Sequence, residues 1–321
     1  MQVFAAEQAL PPEWQGGVVA IGNFDGLHRG HQALIQQTLQ RARELGCKAG
    51  ILTFEPHPRQ FFQPDQTIFR LTPEPLKLAL AERLGLDFAA ILKFDGNLAG
   101  LSAQEFVQAQ ICDRLAARHV VTGHDFRFGK ARAGDAEFLR KAGENLDFGV
   151  SIVEAVGEAE EIFSSSRIRA HLAQGEVEAA AKQLGAWWRI AGRVVQGDQR
   201  GRTIGYPTAN VAIEPGMAAA EGIYAARVFV RGRWQKGAAY IGARPTFDTD
   251  RRFLEIYLLD FSDDIYGEWL EAELVCLIRP DQKFDGLDGL LQQMRADCDV
   301  ARERLNQLDV FDPYPNLRPA S

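Results

Sequence analysis

The periodicity of the chain changes once, and that change limits its fold more than any other feature. Up to about residue 160, short β-branched runs alternate with stretches of helical period. From Trp188 to about residue 285, short apolar runs follow one another with Gly and Pro between them. Alternating strands and helices build a mostly parallel sheet with helices on both faces, whereas a succession of short strands closes into a barrel or sandwich. The sequence predicts strands at 17–22, 49–54, 88–94, 120–123 and 150–156, with helical stretches at 30–45, 74–85, 102–117 and 134–143. Two short helices are expected at 165–173 and 176–184. Six strands follow, near 188–195, 206–212, 223–231, 234–241, 253–260 and 269–278, and then a helix at 286–308. The expected architecture is a Rossmann-like α/β domain over 1–183 and a small six-stranded antiparallel β-barrel with a C-terminal helix over 184–321. A chain of 321 residues, 46% apolar, is sufficient for two cores.

Charge excludes some classes of partner. Residues 1–183 carry 19 basic against 23 acidic side chains and residues 184–321 carry 17 against 20, so neither part has the basic excess of a general nucleic-acid binder. Cys47, Cys112, Cys276 and Cys298 show no CxxC spacing and no histidines nearby, against a zinc site or redox dithiol. With no basic, apolar leader at Met1 and no run near the ~20 apolar residues of a membrane span, the expected location is the cytoplasm.

Chemistry is concentrated where strands end. Gly22-Asn23-Phe24-Asp25-Gly26-Leu27-His28-Arg29-Gly30-His31 leads from a strand through a glycine-rich turn into a helix. Helix-terminal amides there meet two imidazoles three residues apart, an arrangement suited to the phosphates of a nucleotide. Gly22, Gly26 and Gly30 allow close backbone approach, and Asn23 and Asp25 offer caps or contacts. The alternative is two histidines at a helix start with no ligand. Thr53-Phe54-Glu55-Pro56-His57-Pro58 ends the next strand, read either as placing His57 at the same edge for a ligand or as an ordinary strand exit. Gly123-His124-Asp125-Phe126-Arg127-Phe128-Gly129 ends another, where Phe126 and Phe128 either face an aromatic ligand or fill the core. Ser164-Ser165-Ser166-Arg167-Ile168-Arg169 combines hydroxyls, helix amides and Arg169, read either as a triphosphate site or as a serine cap.

In the second part, Gly192, Gly197, Gly201, Arg202, Gly205 and Pro207 lie in or beside a flexible loop without the spacing of a P-loop. Thr208 and Asn210 follow two apart on an extended segment, on one face, read either as neutral oxygens for a Mg²⁺ already held by phosphates or as polar strand positions after a β-turn. No histidine follows His171, so a general base here is expected to be a carboxylate. Glu255, isolated in an apolar strand, is the candidate; a glutamate on the outer barrel face is the alternative.

Taken together, GNFDGLHRGH, TFEPHP, GHDFRFG and SSSRIR in that order, then GRTIGYPTAN, GIYAARV, IGARPTF, LEIYLLDF and Tyr266-Gly267, resemble the bacterial bifunctional FAD synthetase family over nearly the whole chain. That family combines riboflavin kinase with FMN adenylyltransferase. The resemblance implies that His28 and His31, with Gly22, Asn23, Phe24, Asp25 and Gly26, meet ATP phosphates. It makes Ser164, Ser165, Ser166 and Arg169 a second phosphate loop, and places FMN near His57, Asp125, Phe126 and Phe128. In the second part it implies ATP along Gly192, Gly197, Gly201, Arg202, Gly205 and Pro207, Mg²⁺ at Thr208 and Asn210, and Glu255 as base. Tyr257 stands where a histidine is frequent, and Asp281 where glutamate is usual. The expected activity is ATP-dependent phosphorylation of riboflavin to FMN and adenylylation of FMN to FAD. Small molecules are the expected partners, with no nucleic acid and no membrane. One active site with the other vestigial, or a non-catalytic flavin- or nucleotide-binding regulator, are the readings it competes with.

Overall fold

The structure, a computed structural model, describes residues 1–5, 8–158, 161–197, 205–243 and 252–310. It divides into two units, Met1–Gln66 with Glu74–Phe163 and Thr67–Pro73 with Ser164–Ser321.

The first unit runs β1 (Gln2–Phe4), β2 (Val18–Ile21), α1 (Arg29–Leu45), β3 (Ala49–Glu55), α2 (Pro58–Phe62), α3 (Glu74–Arg83) and β4 (Phe88–Lys93). It continues through α4 (Gly96–Gly100), α5 (Ala103–Phe106), β5 (His119–Gly123), β6 (Arg127–Phe128), β7 (Gly134–Asp135), α6 (Ala136–Leu146) and β8 (Gly149–Val153), then a hairpin of β9 (Gly157–Glu158) and β10 (Glu161–Ile162). The main sheet has the order β1-β4-β3-β2-β5-β8 and every pairing in it is parallel. Val19, Ile21, Leu52, Phe54 and Leu92 share one core with Phe106, Ile111 and Leu139. Val18, Ala20, Ile51 and Ala89, on the opposite face, are buried as well. Burial on both faces is why these strands read as unbroken apolar runs. A capping box opens α5. Ser102 Oγ accepts the Glu105 N–H at 3.2 Å, and the Glu105 carboxylate accepts the Ser102 N–H at 2.7 Å. Beyond Phe106 the helix continues to Arg114 with wider, π-type turns.

From β2 the chain lays β3 and β4 to one side, then crosses to β5 on the other. Strand order therefore reverses beside β2, and in open parallel sheets ligands bind at the carboxyl ends next to such a reversal.

The second unit opens with α7 (Ser165–Ala173) and α8 (Val177–Leu184). Six strands follow, β11 (Arg189–Val195), β12 (Thr208–Val211), β13 (Gly222–Val230), β14 (Arg233–Ala243), β15 (Arg252–Leu258) and β16 (Trp269–Pro280), closing as an antiparallel barrel in the order β11-β12-β15-β14-β13-β16. A helix at Leu287–Val310 ends the described chain. Ile190, Val194, Ala209, Val211, Leu254, Ile256 and Leu258 belong to the barrel core, and so do Ile168, Leu172, Val177, Ala180, Phe69 and Leu71. The compact unit thus begins at Ser164 and takes in Thr67–Pro73, rather than beginning at 184, because both segments bury their apolar side chains in the barrel's core. Ala301 and Leu305 of the terminal helix cover Ala225, Leu259 and Val275 in a separate cluster. Among the described residues, no helix is long and apolar enough to cross a membrane.

Candidate functional sites

The turn after β2 is held from beneath. Phe24 and Leu27 have positive φ values of 52° and 46° and are 0% and 1% exposed, so their packing holds a backbone that non-glycine residues disfavour. Phe24 lies against Gly22 and 5.3 Å from the His31 ring. It supports the turn, and its ring has no surface to offer a nucleotide. His28 is the N-cap of α1, its Nδ1 accepting the His31 N–H at 3.4 Å. The two imidazoles stack at 3.8 Å with 22° between planes. A Cβ at Gly30 would stand 3.0 Å from the His28 ring, which explains the glycine between the histidines.

Burial pushes His28 down to about 4, against the opposing pull of Asp25 and Asp125. Burial, then His28 and Lys77, hold His31 well below the ordinary histidine range. Both rings are therefore neutral at pH 7. A neutral imidazole is a fixed N–H donor to an oxygen that gains charge, rather than a source of protons. His31 Nδ1 is buried without a hydrogen-bond partner among the described residues.

The exits of the neighbouring strands converge here. Asp125, after β5, acts electrostatically on His28 across the strand reversal. His57, after β3, caps α2 by accepting the Arg59 N–H at 3.2 Å. Just beyond it, Phe61 and Phe62 meet Phe94 edge-on at 5.6 and 5.7 Å, and Phe62 is 64% exposed. The sequence reading missed this open aromatic surface and favoured Phe126 and Phe128 instead. Those two stack at 5.4 Å, but Phe128 is a core residue between Phe106 and Phe138. Lys77 was also missed. It sits 3% exposed on α3 with its ammonium 2.7 Å from Glu55 and 3.3 Å from Thr53.

Ser164, Ser165, Ser166 and Arg169 belong to the second unit. Ser164 is an N-cap, accepting the Arg167 N–H at 3.3 Å, and Arg169 Nε donates to the Phe69 carbonyl at 2.6 Å. Local structure thus already uses one hydroxyl and one guanidinium of this stretch.

On the barrel, three strands set polar residues side by side. Asn210 on β12 pairs with Glu255 on β15, which pairs with Tyr240 on β14; Thr208 pairs with Tyr257. Their neighbours Ala209, Val211, Leu254 and Ile256 fill the interior, so this row is on the outer face. Glu255 therefore occupies the outer-face position, yet it is half-buried and stands directly opposite Asn210. Asn210 is 8% exposed, and its Oδ1 has no hydrogen-bond partner among the described residues. A Cβ at Gly197 would lie 2.2 Å from the Asn210 amide, so the Gly197 backbone packs directly onto this residue. Burial and the neighbouring Asp281, Glu221 and Glu255 push the Tyr240 hydroxyl up to about 12, and Asp281 is hydrogen-bonded to it.

The other residues of the loop divide. Gly192 does not belong with them: a Cβ there would come 2.2 Å from the Ala212 carbonyl, so strand packing requires that glycine. Gly205 has φ +85°, and Pro207 precedes β12. Gly201 and Arg202 lie outside the described residues.

Comparison with known proteins gives two family models on the chain, FAD synthetase over residues 10–167 and riboflavin kinase over 184–305. Among curated relatives, the bifunctional riboflavin kinase/FMN adenylyltransferase of Pseudomonas fluorescens is 38% identical over 94% of this chain and 97% of its own length. The protein of that name from Escherichia coli K12 is 38% identical over 90% and 93%, and that from Bacillus subtilis 37% over 90% and 92%. A crystal structure from Streptococcus pneumoniae, described as a macrolide-efflux protein, superposes with a TM-score of 0.83 at 32% identity, covering 94% of this chain and 99% of that one. With both modules in sequence, and relatives that match along almost their full length, the chain belongs to the bifunctional riboflavin kinase/FMN adenylyltransferase family.

Proposed function

We propose that the two reactions of the family run at separate centres, riboflavin phosphorylation on the outer barrel row and FMN adenylylation at the carboxyl edge of the parallel sheet. The chain makes FMN from riboflavin and ATP, and FAD from FMN and a second ATP with release of pyrophosphate. The residue roles below are our assignment.

At the sheet edge, FMN phosphate attacks the α-phosphorus of ATP. No protein nucleophile is required; rate comes from alignment and from donors to the charge that builds on phosphoryl oxygens. His28 and His31 supply neutral N–H donors, and the turn at Gly22, Asn23, Asp25 and Gly26 supplies backbone approach. Ser165, Ser166 and Arg169 are assigned to phosphate by the motif alone. Phe62, exposed at the end of the short helix that His57 caps, is a better flavin platform than the buried Phe128.

On the barrel, Glu255 accepts the proton of the ribityl 5′-hydroxyl as that oxygen attacks the γ-phosphorus. Asn210 Oδ1 and the Thr208 hydroxyl suit Mg²⁺, a hard cation that takes neutral oxygens and leaves its remaining positions to phosphate and water. The buried, unpartnered Oδ1 is what favours that assignment. Bound there, the ion would neutralise charge on the β- and γ-phosphates. We place the enzyme in the cytoplasm, where its four free cysteines stay reduced.

The observation that carries the two-centre reading is that His28–His31 and Asn210–Glu255 fall in different units. Incubation with riboflavin, ATP and Mg²⁺, with flavins resolved by chromatography, tests it. His28→Ala is expected to stop FAD while sparing FMN. Glu255→Ala is expected to stop FMN from riboflavin while sparing FAD from supplied FMN. A folded variant lacking both activities would contradict separate centres.

A further inference from the structure

We infer that Lys77 is a positioning residue for FMN adenylylation, fixing His31 and the glycine turn through a buried cation that links three elements of the first unit. The inference rests on the adenylyltransferase reading above and deepens it.

Lysine is among the residues least often fully buried, and a buried ammonium needs an anion and hydrogen bonds to stay charged. Lys77 has both. Its ammonium is 2.7 Å from a Glu55 carboxylate oxygen and 3.3 Å from Thr53 Oγ1, both at the end of β3. Thr53 Oγ1 donates in turn to the Asn23 carbonyl at 3.3 Å, inside the turn that leads to His28. One side chain of α3 thus reaches the exit of β3 and, through it, the turn after β2. The helix carries Lys77 to this place because it lies on the buried side with Leu76, Leu80 and Ala81.

The position also has an electrostatic consequence. The charged and titratable groups acting on the histidine pair are His28 and Lys77 on His31, and Asp25 and Asp125 on His28; Glu55 is paired to Lys77. Two acids pull the pair towards protonation, and Lys77 resists it at His31. A protonated His31 would place an unpaired charge in a buried site beside the Lys77 cation. The role of Lys77 is to keep His31 neutral and the turn in register while negative phosphates approach.

The test uses the full-length chain and compares Lys77→Met, Lys77→Arg and Glu55→Gln. FAD formation from supplied FMN and ATP is followed from pH 4.5 to 8, with riboflavin phosphorylation measured beside it as a control for the second unit and denaturant unfolding as a control for the first. Lys77→Met is expected to lower kcat by about 10-fold or more, to leave KM for ATP within about threefold, and to move the acid limb of the profile to higher pH. Lys77→Arg is expected to restore the limb. Glu55→Gln, which unmasks the cation, is expected to move it the opposite way, a result a purely structural role does not give. The inference is overturned if Lys77→Met stays within about twofold of the wild type, or if the limb stands still in all three variants. A wild-type chain that made no FAD would instead overturn the adenylyltransferase reading itself.

Discussion

At the scale of single residues, the two centres differ in how they hold charge, and each difference is measurable. His28 is buried and neutral in the folded chain, with its value pushed down to about 4, whereas in the unfolded chain it titrates near 6.5. Well above pH 6.5 neither state holds the proton, and the ring adds nothing to the pH dependence. As pH falls from 6.5 towards 4, the unfolded state binds a proton that the folded state refuses, so stability is lost, to a limit of roughly 3 kcal/mol. His28→Gln is expected to flatten the fall in stability of the first unit over that window, read by denaturant unfolding at several pH values. An unchanged slope would mean that the ring is not buried as described. On the barrel, the residue to change is Gly197. A methyl there meets the Asn210 amide at 2.2 Å and must displace it. Gly197→Ala is expected to cut kcat/KM for riboflavin phosphorylation about 10-fold or more while FAD formation from supplied FMN stays normal.

At the scale of elements, legibility followed burial pattern. The strands of the first unit were readable because both faces are buried, so each is a run such as Val18-Val19-Ala20-Ile21 with turn residues after it. β1 was missed because Gln2-Val3-Phe4 is too short to show any period; only its pairing with β4 reveals it. The sites followed the same logic. Turn motifs are written in glycine and proline and survive reading, so the stretches that carry His28, His31, Thr208 and Asn210 stand out as candidates in sequence alone. Lys77 sits inside a helix and has no local signal beyond its place between Leu76 and Leu80. Phe128 could be read either way, because alternation of polar and aromatic residues does not say which side faces solvent; the structure places it in the core. The barrel contains the same trap in charged form. Arg189, Glu273 and Arg227 stand in register across β11, β16 and β13, and Arg189 also pairs with Glu271 at 3.1 Å. In sequence they look like a solvated outer face, yet Glu273 is 1% exposed and Arg227 Nη2 lies 2.6 Å from it. Removing one partner of a buried pair leaves an uncompensated charge, at a cost of about 3–5 kcal/mol. Glu273→Gln is therefore expected to lower the unfolding transition of the barrel by that order, seen by calorimetry, whereas removing an exposed pair such as Arg231–Glu268 is expected to change it by less than about 1 kcal/mol.

At the scale of the whole molecule, likeness to relatives and compactness draw different borders. The riboflavin kinase match begins at residue 184, but the compact unit begins at Ser164 and includes Thr67–Pro73. The difference is a matter of core. Ile168, Leu172 and Val177 are at most 1% exposed and belong to the same cluster as Ile190 and Leu254, and Phe69 meets Trp188 edge-on at 5.6 Å. Burying a large aliphatic side chain is worth about 1.5–3 kcal/mol, so three of them approach the 5–15 kcal/mol that typically holds a whole domain folded. A fragment of residues 184–321 lacks all three and exposes the surface they covered. It is expected to unfold without a cooperative transition and to phosphorylate no riboflavin. A fragment of residues 164–321 keeps both helices and is expected to fold and retain kinase activity. Its melting temperature should fall below that of the barrel in the full chain, because Phe69 and Leu71 are missing. Equal melting temperatures for the two fragments would show that α7 and α8 are accessories to the barrel. Recovery of activity only in the longer one would show that the kinase core is assembled from sequence well upstream of where its family likeness starts.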